Sequence, residues 1–430
     1  MAPRQKSWGG IDRRAAGIVE PAYLDAAEAA AAGEGPTLGV GLGRSYGDSG
    51  LLSDGRLVRT TRMDRVRRFD REAGVFAAEA GITLGDVIRI VGPHGWFPPA
   101  VPGTQFVTLG GAIANDVHGK NHGRVGTLGA HVRKIALARS SGDVLVLAPG
   151  DPLFAATIGG LGLTGLILWA ELQLSRVSSG YVLSETEPFE GLPAFFALSE
   201  DACKDEFSVA WVDCLSAEIR GLFTRANWAP NAGFPDRPSR PRLSFPIAPP
   251  KTPLNRATLA AFNALYYHAL SGRRRPDLLP YDTALFPLDG VGGWNRLYGA
   301  RGFFQYQAVA PAETASDAIA AMLAAIRDAG EGSFLAVLKT FGDRPSPGIL
   351  SFPMKGATLA LDFPNRGAST EKLFQRLDAI VREARGRLYP AKDARMPAAL
   401  FREGYPRWAE MAAHVDPKFT SDFWKRMTDL

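Results

Sequence analysis

The stretch PGTQFVTLGGAIANDVHGKNHG, residues 102–123, contains five glycines and two of the chain's six histidines. Glycine lets a ligand approach the backbone closely, and threonine and asparagine side chains hydrogen-bond to polar groups. The imidazole of His118 has an ordinary pKa of about 6.5, which suits proton transfer. The stretch therefore predicts a ligand-binding loop with a candidate acid or base. A plain polar loop is the alternative.

A second glycine-rich stretch, GVGLGRSYGD at residues 39–48, follows a predicted strand. Successive main-chain N–H groups in such a loop can line a concavity that binds a pyrophosphate. It is not a G-x-G-x-x-G dinucleotide fingerprint, because Arg44 and Tyr46 stand where the third glycine would fall and a turn and strand follow. Residues 160–165, GLGLTG, match that expression, but a predicted helix precedes them and a strand follows, so we assign them no nucleotide. A simple glycine turn is the alternative for residues 39–48.

Metal binding is not expected. His118 and His122 are four residues apart, but Gly119 between them disfavours a helix, and the stretch lacks the glutamate of H-E-x-x-H zinc sites. The two cysteines, Cys203 and Cys214, are too few for a disulfide framework and lack C-x-x-C spacing. We therefore expect no structural zinc and a reducing compartment.

The composition indicates a globular α+β protein. The chain has 430 residues, of which 46% are hydrophobic and 22% charged, so it can form a packed core, and its length favours two domains or one interrupted domain. The 47 glycines and 31 prolines favour short strands joined by tight turns. The net charge of +5 is compatible with nucleic acid, an anionic membrane face or a phosphorylated small substrate, and does not choose among them.

No targeting or membrane-spanning segment is predicted. Arg13 and Arg14 resemble a twin-arginine signal, but Glu20, Pro21 and Asp25 interrupt the apolar region that such a signal needs. No run approaches the roughly 18 apolar residues of a spanning helix. We expect a chain that begins near residue 1, without a signal peptide, and that is soluble or peripheral.

Hydrophobic periodicity and turn residues predict the secondary structure. Helices are predicted at 23–32, 84–91, 152–158 and 315–329. Strands are predicted at 37–42, 57–60, 65–69, 75–80, 165–174, 303–309, 334–341 and 358–363, with a hairpin at 132–138 and 144–147. A strand and loop at 386–393 precede helical segments that run to the end of the chain. The proline, arginine and serine content of residues 230–280 predicts a mobile lid with a basic rim.

Seven motifs, in this order along the chain, resemble the vanillyl-alcohol-oxidase type of FAD-binding oxidoreductases, and within it the polyprenylphosphoryl-ribose 2′-oxidases. The motifs are GLGRSYGD (41–48), PGTQFVTLGGAIANDVHGKNH (102–122), GLTG (162–165), GGWNRLYG (292–299), FFQYQ (303–307), LSFP (350–353) and LYPAKDAR (388–395). The resemblance implies a two-subdomain, PCMH-type FAD-binding domain with an antiparallel-sheet cap. Its implied boundaries are 1–178 for the FAD-binding domain, 179–386 for the cap with a lid at about 230–280, and 387–430 for the return.

The resemblance also implies the cofactor site. The implied FAD-binding residues are Gly39, Gly41, Gly43, Arg44, Ser45, Tyr46, Gly47, Asp48, Ser49, Gly103, Thr108, Leu109, Gly110, Gly111, Asn115, Asp116, Val117, His118, Ile167 and Tyr389. Many relatives attach the flavin to a histidine where this chain has Arg44, so we expect noncovalent FAD. Ala360 stands where some relatives carry cysteine, and Thr358 replaces a nearby asparagine, so no thiol chemistry is expected there.

The activity that the resemblance implies is oxidation of a sugar C2 hydroxyl, with hydride passing to the flavin and a 2-keto sugar forming on a polyprenyl phosphate. A separate NADH-dependent reductase would then complete a 2′-epimerisation that gives the arabinose donor for cell-envelope glycans. His118 and Lys392 are the catalytic candidates, and Lys392 would act either as base or as a charge that stabilises the reduced flavin. Without the resemblance, a surface lysine paired with Asp393 would be the simpler interpretation.

Six further residues are candidates for binding the substrate or lining its pocket. Gln305 and Gln307 alternate on a predicted strand, so their amides share one face. Lys120 and Lys339 could contact the sugar or its phosphate, and Trp211, with Trp294, could wall the pocket. A solvated strand face, exposed lysines and core aromatics are the corresponding alternatives.

Two other functions stay open at the level of sequence. One is an aldonolactone or alditol oxidase that uses oxygen and acts on a small soluble sugar. The other is a nucleic-acid or membrane adaptor that no longer turns over. For the polyprenylphosphoryl-ribose oxidase interpretation we expect a polyprenyl-phosphate sugar and a reductase as partners and no nucleic acid. We also expect a location in the cytoplasm or peripherally at the inner membrane.

Overall fold

The computed structural model describes residues 3–235, 243–250, 252–272 and 275–428. Part of the predicted lid, at 236–242, 251 and 273–274, lies outside the described residues. Helices and mostly antiparallel sheets are mixed along the whole described chain, which confirms the α+β prediction. None of the described helices combines the length and the apolar character needed to cross a bilayer.

The first part of the chain forms three small sheets and one five-stranded sheet. Its strands are β1 (Arg4–Lys6), β2 (Asp12–Arg14), β3 (Gly17–Val19), β4 (Thr37–Val40), β5 (Arg56–Arg59), β6 (Val66–Asp70), β7 (Val75–Glu79), β8 (Trp96–Phe97), β9 (Val132–Ala138), β10 (Val144–Leu147), β11 (Leu166–Gln173) and β12 (Ser175–Arg176). Its helices are α1 (Leu24–Ala32), α2 (Leu84–Val91), α3 (Leu109–Ala114), α4 (His122–Val125) and α5 (Pro152–Thr157). Strands β3, β5 and β4 pair in parallel, and β10, β9, β11, β7 and β6 form an antiparallel sheet in that order.

Local sequence explains two helices of the first part of the chain, of which α3 contributes residues to the site. In α2 the Oγ1 of Thr83 accepts a hydrogen bond from the Asp86 N–H (3.0 Å), and the apolar face of the helix is buried in the core. In α3 Thr108 caps in the same way, accepting from the Gly111 N–H (3.2 Å). The predicted ligand-binding loop at 102–123 therefore contains a short helix, which its glycine content concealed.

The middle of the chain is built on an eight-stranded sheet with the order β17–β13–β15–β14–β20–β21–β19–β22. The strands that follow β12 are β13 (Tyr181–Glu190), β14 (Phe207–Val212), β15 (Arg220–Trp228), β16 (Leu243–Ser244), β17 (Asp277–Pro280), β18 (Val291–Gly292), β19 (Phe303–Pro311), β20 (Ala336–Phe341), β21 (Gly356–Pro364) and β22 (Arg387–Leu388). The helices are α6 (Gly191–Asp201), α7 (Arg256–Ser271), α8 (Tyr281–Leu285), α9 (Ala315–Asp328), α10 (Ala368–Glu383), α11 (Ala398–Gly404), α12 (Trp408–His414) and α13 (Asp422–Thr428).

Alternation along the central strands divides the sheet into two faces. Tyr306, Leu338 and Leu361 point into a core that α9 and α10 share, whereas Gln305 and Lys339 line a cleft on the other side. Because successive strand residues point to opposite faces, the sequence pattern of β19 to β21 fixes which polar side chains can reach a ligand.

The chain then returns to the first part. After β22, the Ala391 carbonyl accepts a hydrogen bond from the Tyr46 N–H (3.0 Å), and a Cβ added to Gly47 would lie 1.3 Å from the Asp393 oxygen. Only glycine fits there, since any side chain would overlap the main chain. This contact places Lys392 against the first glycine-rich stretch. The domain boundaries 1–178, 179–386 and 387–430 stay a proposal. Strand β22, at the start of the third segment, pairs with β19 of the second.

Candidate active site

A cleft of about 2030 Å³, its open mouth included, lies between the two glycine-rich stretches, which form its first wall, and the polar face of the eight-stranded sheet, which forms its second wall. Most of the residues predicted from the sequence line it. They are Gly39, Gly41, Gly43, Arg44, Ser45, Tyr46, Ser49, Gly103, Thr108, Gly111, Asn115, Val117, His118, Lys120, Trp294, Gln305, Gln307, Lys339, Tyr389 and Lys392. Thr358 and Ala360 line it as well.

Several residues of the predicted cofactor set lie behind the wall of the cleft. Leu109 and Ile167 are buried in the hydrophobic core, and the Gly110 N–H donates to the Ala80 carbonyl (2.8 Å). These positions shape the wall through the backbone, because their side chains are absent or point into the core.

The two predicted acidic residues and Gly47 have structural contacts. Asp48 accepts hydrogen bonds from the Arg426 guanidinium (2.9 and 3.0 Å), and Asp116 accepts from the Gly129 N–H (2.8 Å) and from the Ser351 hydroxyl. Burial raises the pKa of Asp116 to about 6. The sequence interpretation included these residues because they lie inside the motifs, but their contacts hold the loops in place.

Trp211 does not belong to the wall of the cleft. Its Nε1 donates to the Phe334 carbonyl (3.0 Å), and its ring packs edge-on against Tyr266 at 5.0 Å. Its ring therefore packs against α7 instead of lining the cleft. Trp294 does line the cleft, where it packs against Trp8 and Phe303.

The first wall of the cleft fits a large polar cofactor. The backbone of residues 39–46 lines it continuously, and a Cβ added to Gly103 would meet no protein atom within 4 Å. Ser49 Oγ and Asn115 Oδ1 are buried and have no hydrogen-bond partner among the described residues. Since buried polar atoms are normally paired, these two atoms indicate a ligand with polar groups, and a glycine-rich wall lets such a ligand approach the backbone closely.

Arg44 lies in the first wall of the cleft. Its guanidinium stacks over the Trp8 ring at 4.1 Å and lies 5.7 Å from the centre of the Phe106 ring. Burial lowers its pKa, and the nearby Asp289 carboxylate opposes that effect. Arg44 therefore contributes positive charge and a flat surface to this wall.

His118 is held as a neutral ring. It is buried among Phe341, Phe352 and Tyr389, with ring centres 4.9 to 5.6 Å away. Burial first, and then the charge of Lys339, lowers its pKa well below the ordinary value. The Gln307 amide nitrogen lies 3.3 Å from His118 Nε2, which therefore accepts the hydrogen bond and leaves the proton on Nδ1.

Three half-buried lysines line the cleft. Lys120 Nζ donates to the Ala284 carbonyl (2.6 Å), and Lys339 Nζ donates to the Gly119 carbonyl (3.4 Å). Burial lowers the pKa of Lys120 to about 8, and burial together with neighbouring lysines lowers that of Lys339 to about 7. An anionic ligand group would stabilise their ammonium form, because an opposite charge favours it.

Lys392 faces the first glycine-rich stretch, with its Nζ 3.9 Å from the centre of the Tyr46 ring. Burial lowers the pKa of Lys392, and the carboxylate of Asp362 opposes this. Asp362 is fully buried opposite Gln305 in the strand register, and its Oδ1 accepts from the Gln305 amide (2.6 Å). Asp362 was not predicted from the sequence, because its place across from Gln305 follows only from the pairing of the two strands.

A second residue that the sequence did not indicate joins the two walls. Asp289 follows α8 and accepts hydrogen bonds from the Thr104 hydroxyl (2.7 Å) and from the Gln105 N–H (2.9 Å). Among the described residues, no group of three histidine, cysteine, aspartate or glutamate side chains could hold a metal ion. The site therefore offers main-chain amides, amide side chains and amines, which suit cofactor binding and proton transfer.

The fold and this cleft define the class of the protein, an FAD-dependent oxidoreductase. Residues 21–148 match the family model described as an FAD binding domain. Over 99% of its length the chain is 34% identical to the decaprenylphosphoryl-β-D-ribose oxidase of Mycolicibacterium smegmatis, and the match covers 97% of that protein. An uncharacterised protein of Streptomyces coelicolor is 35% identical over 80% of this chain and 100% of its own length. An alditol oxidase of a Streptomyces species is 26% identical, over 32% of this chain and 34% of that protein.

The chain belongs to the decaprenylphosphoryl-β-D-ribose oxidase family, because the first match spans both proteins almost completely. The partial match to the alditol oxidase is confined to about a third of each chain. The FAD prediction and the recognition of the family are confirmed.

Proposed function

We propose that the chain oxidises the C2 hydroxyl of a polyprenylphosphoryl-β-D-ribose to the 2-keto sugar. The observation that carries the proposal is a single continuous cleft that joins the cofactor wall of residues 39–46 to three lysines and two glutamines. A phosphorylated sugar needs cations for its phosphate and amides for its hydroxyls, and the lysines and glutamines of the cleft supply both.

The residues divide into binding and proton-transfer groups. Lys120 and Lys339 bind the phosphate, and pairing with it keeps them protonated although burial lowers their pKa values. Gln305 and Gln307 orient the sugar hydroxyls from one face of β19. His118 stays neutral and keeps the amide of Gln307 in place.

Oxidation removes one hydride from C2 and one proton from its hydroxyl oxygen. FAD, when bound against the first wall, supplies the acceptor for the hydride. Lys392 takes the proton, because burial favours its neutral amine, and the ammonium that results places positive charge beside residues 44–46. The carbon–oxygen double bond forms as both leave, so charge and atoms balance.

The proposal has three further parts. FAD is held noncovalently, since Arg44 stands where a histidine would be needed. The 2-keto product goes to a separate NADH-dependent reductase, whose reduction completes the 2′-epimerisation. The chain works in peripheral contact with a membrane, because a polyprenyl substrate resides there.

The test is anaerobic stopped-flow mixing of the purified holoenzyme with a short-chain prenylphosphoryl ribose. Rapid loss of the oxidised flavin absorbance is expected with this substrate and not with free ribose, an alditol or an aldonolactone. Bleaching by the soluble sugars alone would instead establish an alditol or aldonolactone oxidase. A colourless protein that binds DNA with a steep salt dependence would support the adaptor alternative.

A further inference from the structure

Four large apolar side chains are exposed on two segments of the chain, residues 243–247 and helix α7. Ile247 and Leu265 are 78% and 73% exposed, and Leu243 and Phe262 are 55% and 44% exposed. We call these four residues the apolar rim. Single exposed hydrophobic residues are ordinary, but a group of them indicates an interaction surface.

Both segments that carry the apolar rim pack on one cluster beside the cleft. Phe262 on α7 contacts the ring of Phe334, with centres 5.9 Å apart, and β16, which contains Leu243, pairs with β18. Phe334 packs against the hydrophobic cluster that contains Trp294, and so does Val291 of β18. Trp294 lines the cleft. The apolar rim therefore adjoins the cleft.

Helix α7 has an apolar outer face. Its buried stripe, Leu259, Asn263 and Tyr267, recurs every four residues, and the helix packs against β13 and β15 of the eight-stranded sheet. Ala261, Leu265 and Ala269 follow the same spacing on the exposed side. Within the described structure nothing covers that side, and the only charged or titrating side chains of the helix, apart from tyrosines, are those of Arg256 and His268.

The sequence that carries the apolar rim is basic. Between Asp236 and Asp277 it contains no aspartate or glutamate and eight arginines and lysines: Arg237, Arg240, Arg242, Lys251, Arg256, Arg273, Arg274 and Arg275. Of these, Arg256 and Arg275 are described, and both are exposed. Exposed apolar side chains flanked by arginines match the interface of an anionic bilayer, where the apolar groups enter the acyl boundary and the arginines meet headgroups. A second copy of this surface would bring like charges together.

We propose that the apolar rim, with Arg256 and Arg275, docks the protein on an anionic lipid bilayer with the cleft beside it. The inference rests on the proposed function for its purpose, since a lipid-linked sugar would enter the cleft from that bilayer. The docking itself requires no turnover. It can therefore be measured separately.

Co-sedimentation of the holoenzyme with vesicles tests the docking. Vesicles of equal parts phosphatidylglycerol and phosphatidylcholine should bind the protein, and vesicles of phosphatidylcholine alone should bind it at least about tenfold more weakly. The double variant Ile247→Ser/Leu265→Ser should lose at least about tenfold in affinity, because both side chains no longer enter the bilayer. Val146→Ser, a change at an apolar residue 59% exposed on β10, should leave binding unchanged.

A second pair of variants tests the charge. Arg256→Gln/Arg275→Gln should weaken binding to the anionic vesicles roughly tenfold or more, whereas Arg62→Gln/Arg376→Gln, at exposed sites elsewhere, should not. Equal binding to both vesicle types, or binding that both test variants retain, would overturn the proposal. So would a dimer in sedimentation equilibrium that Ile247→Ser/Leu265→Ser dissociates, because the apolar rim would then join two copies.

Failure of the docking is distinguishable from failure of the proposed function. Ile247→Ser/Leu265→Ser should bleach with the soluble short-chain prenylphosphoryl ribose at the wild-type rate in the absence of vesicles. A wild-type protein that binds anionic vesicles but oxidises none of this substrate would retain the docking and refute the function. A wild-type protein that oxidises this substrate but does not bind anionic vesicles would support the function and refute the docking.

Discussion

Lys392 is the residue on which the proposed chemistry depends most. Its amine lies over the Tyr46 ring at the junction of the two walls, and burial favours the neutral form that accepts a proton. Lys392→Ala should slow anaerobic flavin reduction by about 10²- to 10⁴-fold, the range typical of a lost general base. Single-turnover absorbance measures this, with the exposed Lys355→Ala as control. An unchanged bleaching rate would remove Lys392 from the chemistry.

Asp362 should set the pH at which Lys392 works. The buried carboxylate favours the ammonium and so raises the pKa of Lys392 against the larger, lowering effect of burial. The reduction rate should rise with pH as the amine becomes neutral. In Asp362→Asn the raising effect is gone, so the pKa of Lys392 falls and the rise should occur at lower pH.

The pH profile of single-turnover reduction checks the expectation for Asp362. Asparagine can still accept the hydrogen bond from the Gln305 amide, so the variant removes the charge and keeps the contact. A profile that stays in place, or that moves to higher pH, would contradict an electrostatic action of Asp362 on Lys392.

At the scale of elements, the contact between the first glycine-rich stretch and the 389–393 turn should tolerate no side chain at residue 47. A Cβ at Gly47 would overlap the Asp393 carbonyl, so both segments must move apart. Gly47→Ala should lower the free energy of unfolding by about 1–3 kcal/mol, as overpacking does. Urea denaturation measures it. Gly17→Ala, where a Cβ meets no atom within 4 Å, is the matched control and should change stability far less.

The sequence predicted helices and strands well where the apolar residues follow a single period. The helix at 84–91 and the hairpin at 132–138 and 144–147 have their predicted bounds, because their apolar residues follow one period and turn residues flank them. The helix Leu109–Ala114 escaped prediction, since glycine and alanine give little periodic signal and only the Thr108 cap marks its start.

The site residues that lie in a sequence motif could be predicted. Those that reach the site only through contacts with distant parts of the chain could not. Gln305 and Gln307 reach the cleft as strand alternation requires. Asp362 and Asp289 act through partners 57 and 184 or more residues away in the chain, and no local pattern indicates such contacts. Trp211 was misplaced for the same reason, because its burial depends on α7 packing over it.

At the scale of the whole molecule, the C-terminal helix α13 closes the fold onto its first loop. Arg426 donates to the Asp48 carboxylate (2.9 and 3.0 Å) and to the Asp393 carboxylate (3.2 Å), so it ties the end of the chain to both segments that position Lys392. Burial raises the pKa of Asp48, and the Arg426 guanidinium opposes that effect. The pair is therefore a structural connection whose loss should reach the cofactor wall.

Arg426→Leu should cost about 3–5 kcal/mol of unfolding free energy at neutral pH, because it leaves a buried carboxylate without its partner. Without the guanidinium, the pKa of Asp48 rises further above that of the unfolded chain. The deficit against wild type should therefore shrink as pH falls and Asp48 takes up a proton. Urea unfolding at neutral and mildly acidic pH measures both. Arg407→Leu, which breaks an exposed pair with Glu410, should cost less than about 1 kcal/mol. An equal, small effect of the two variants would show that α13 is held by its apolar face alone.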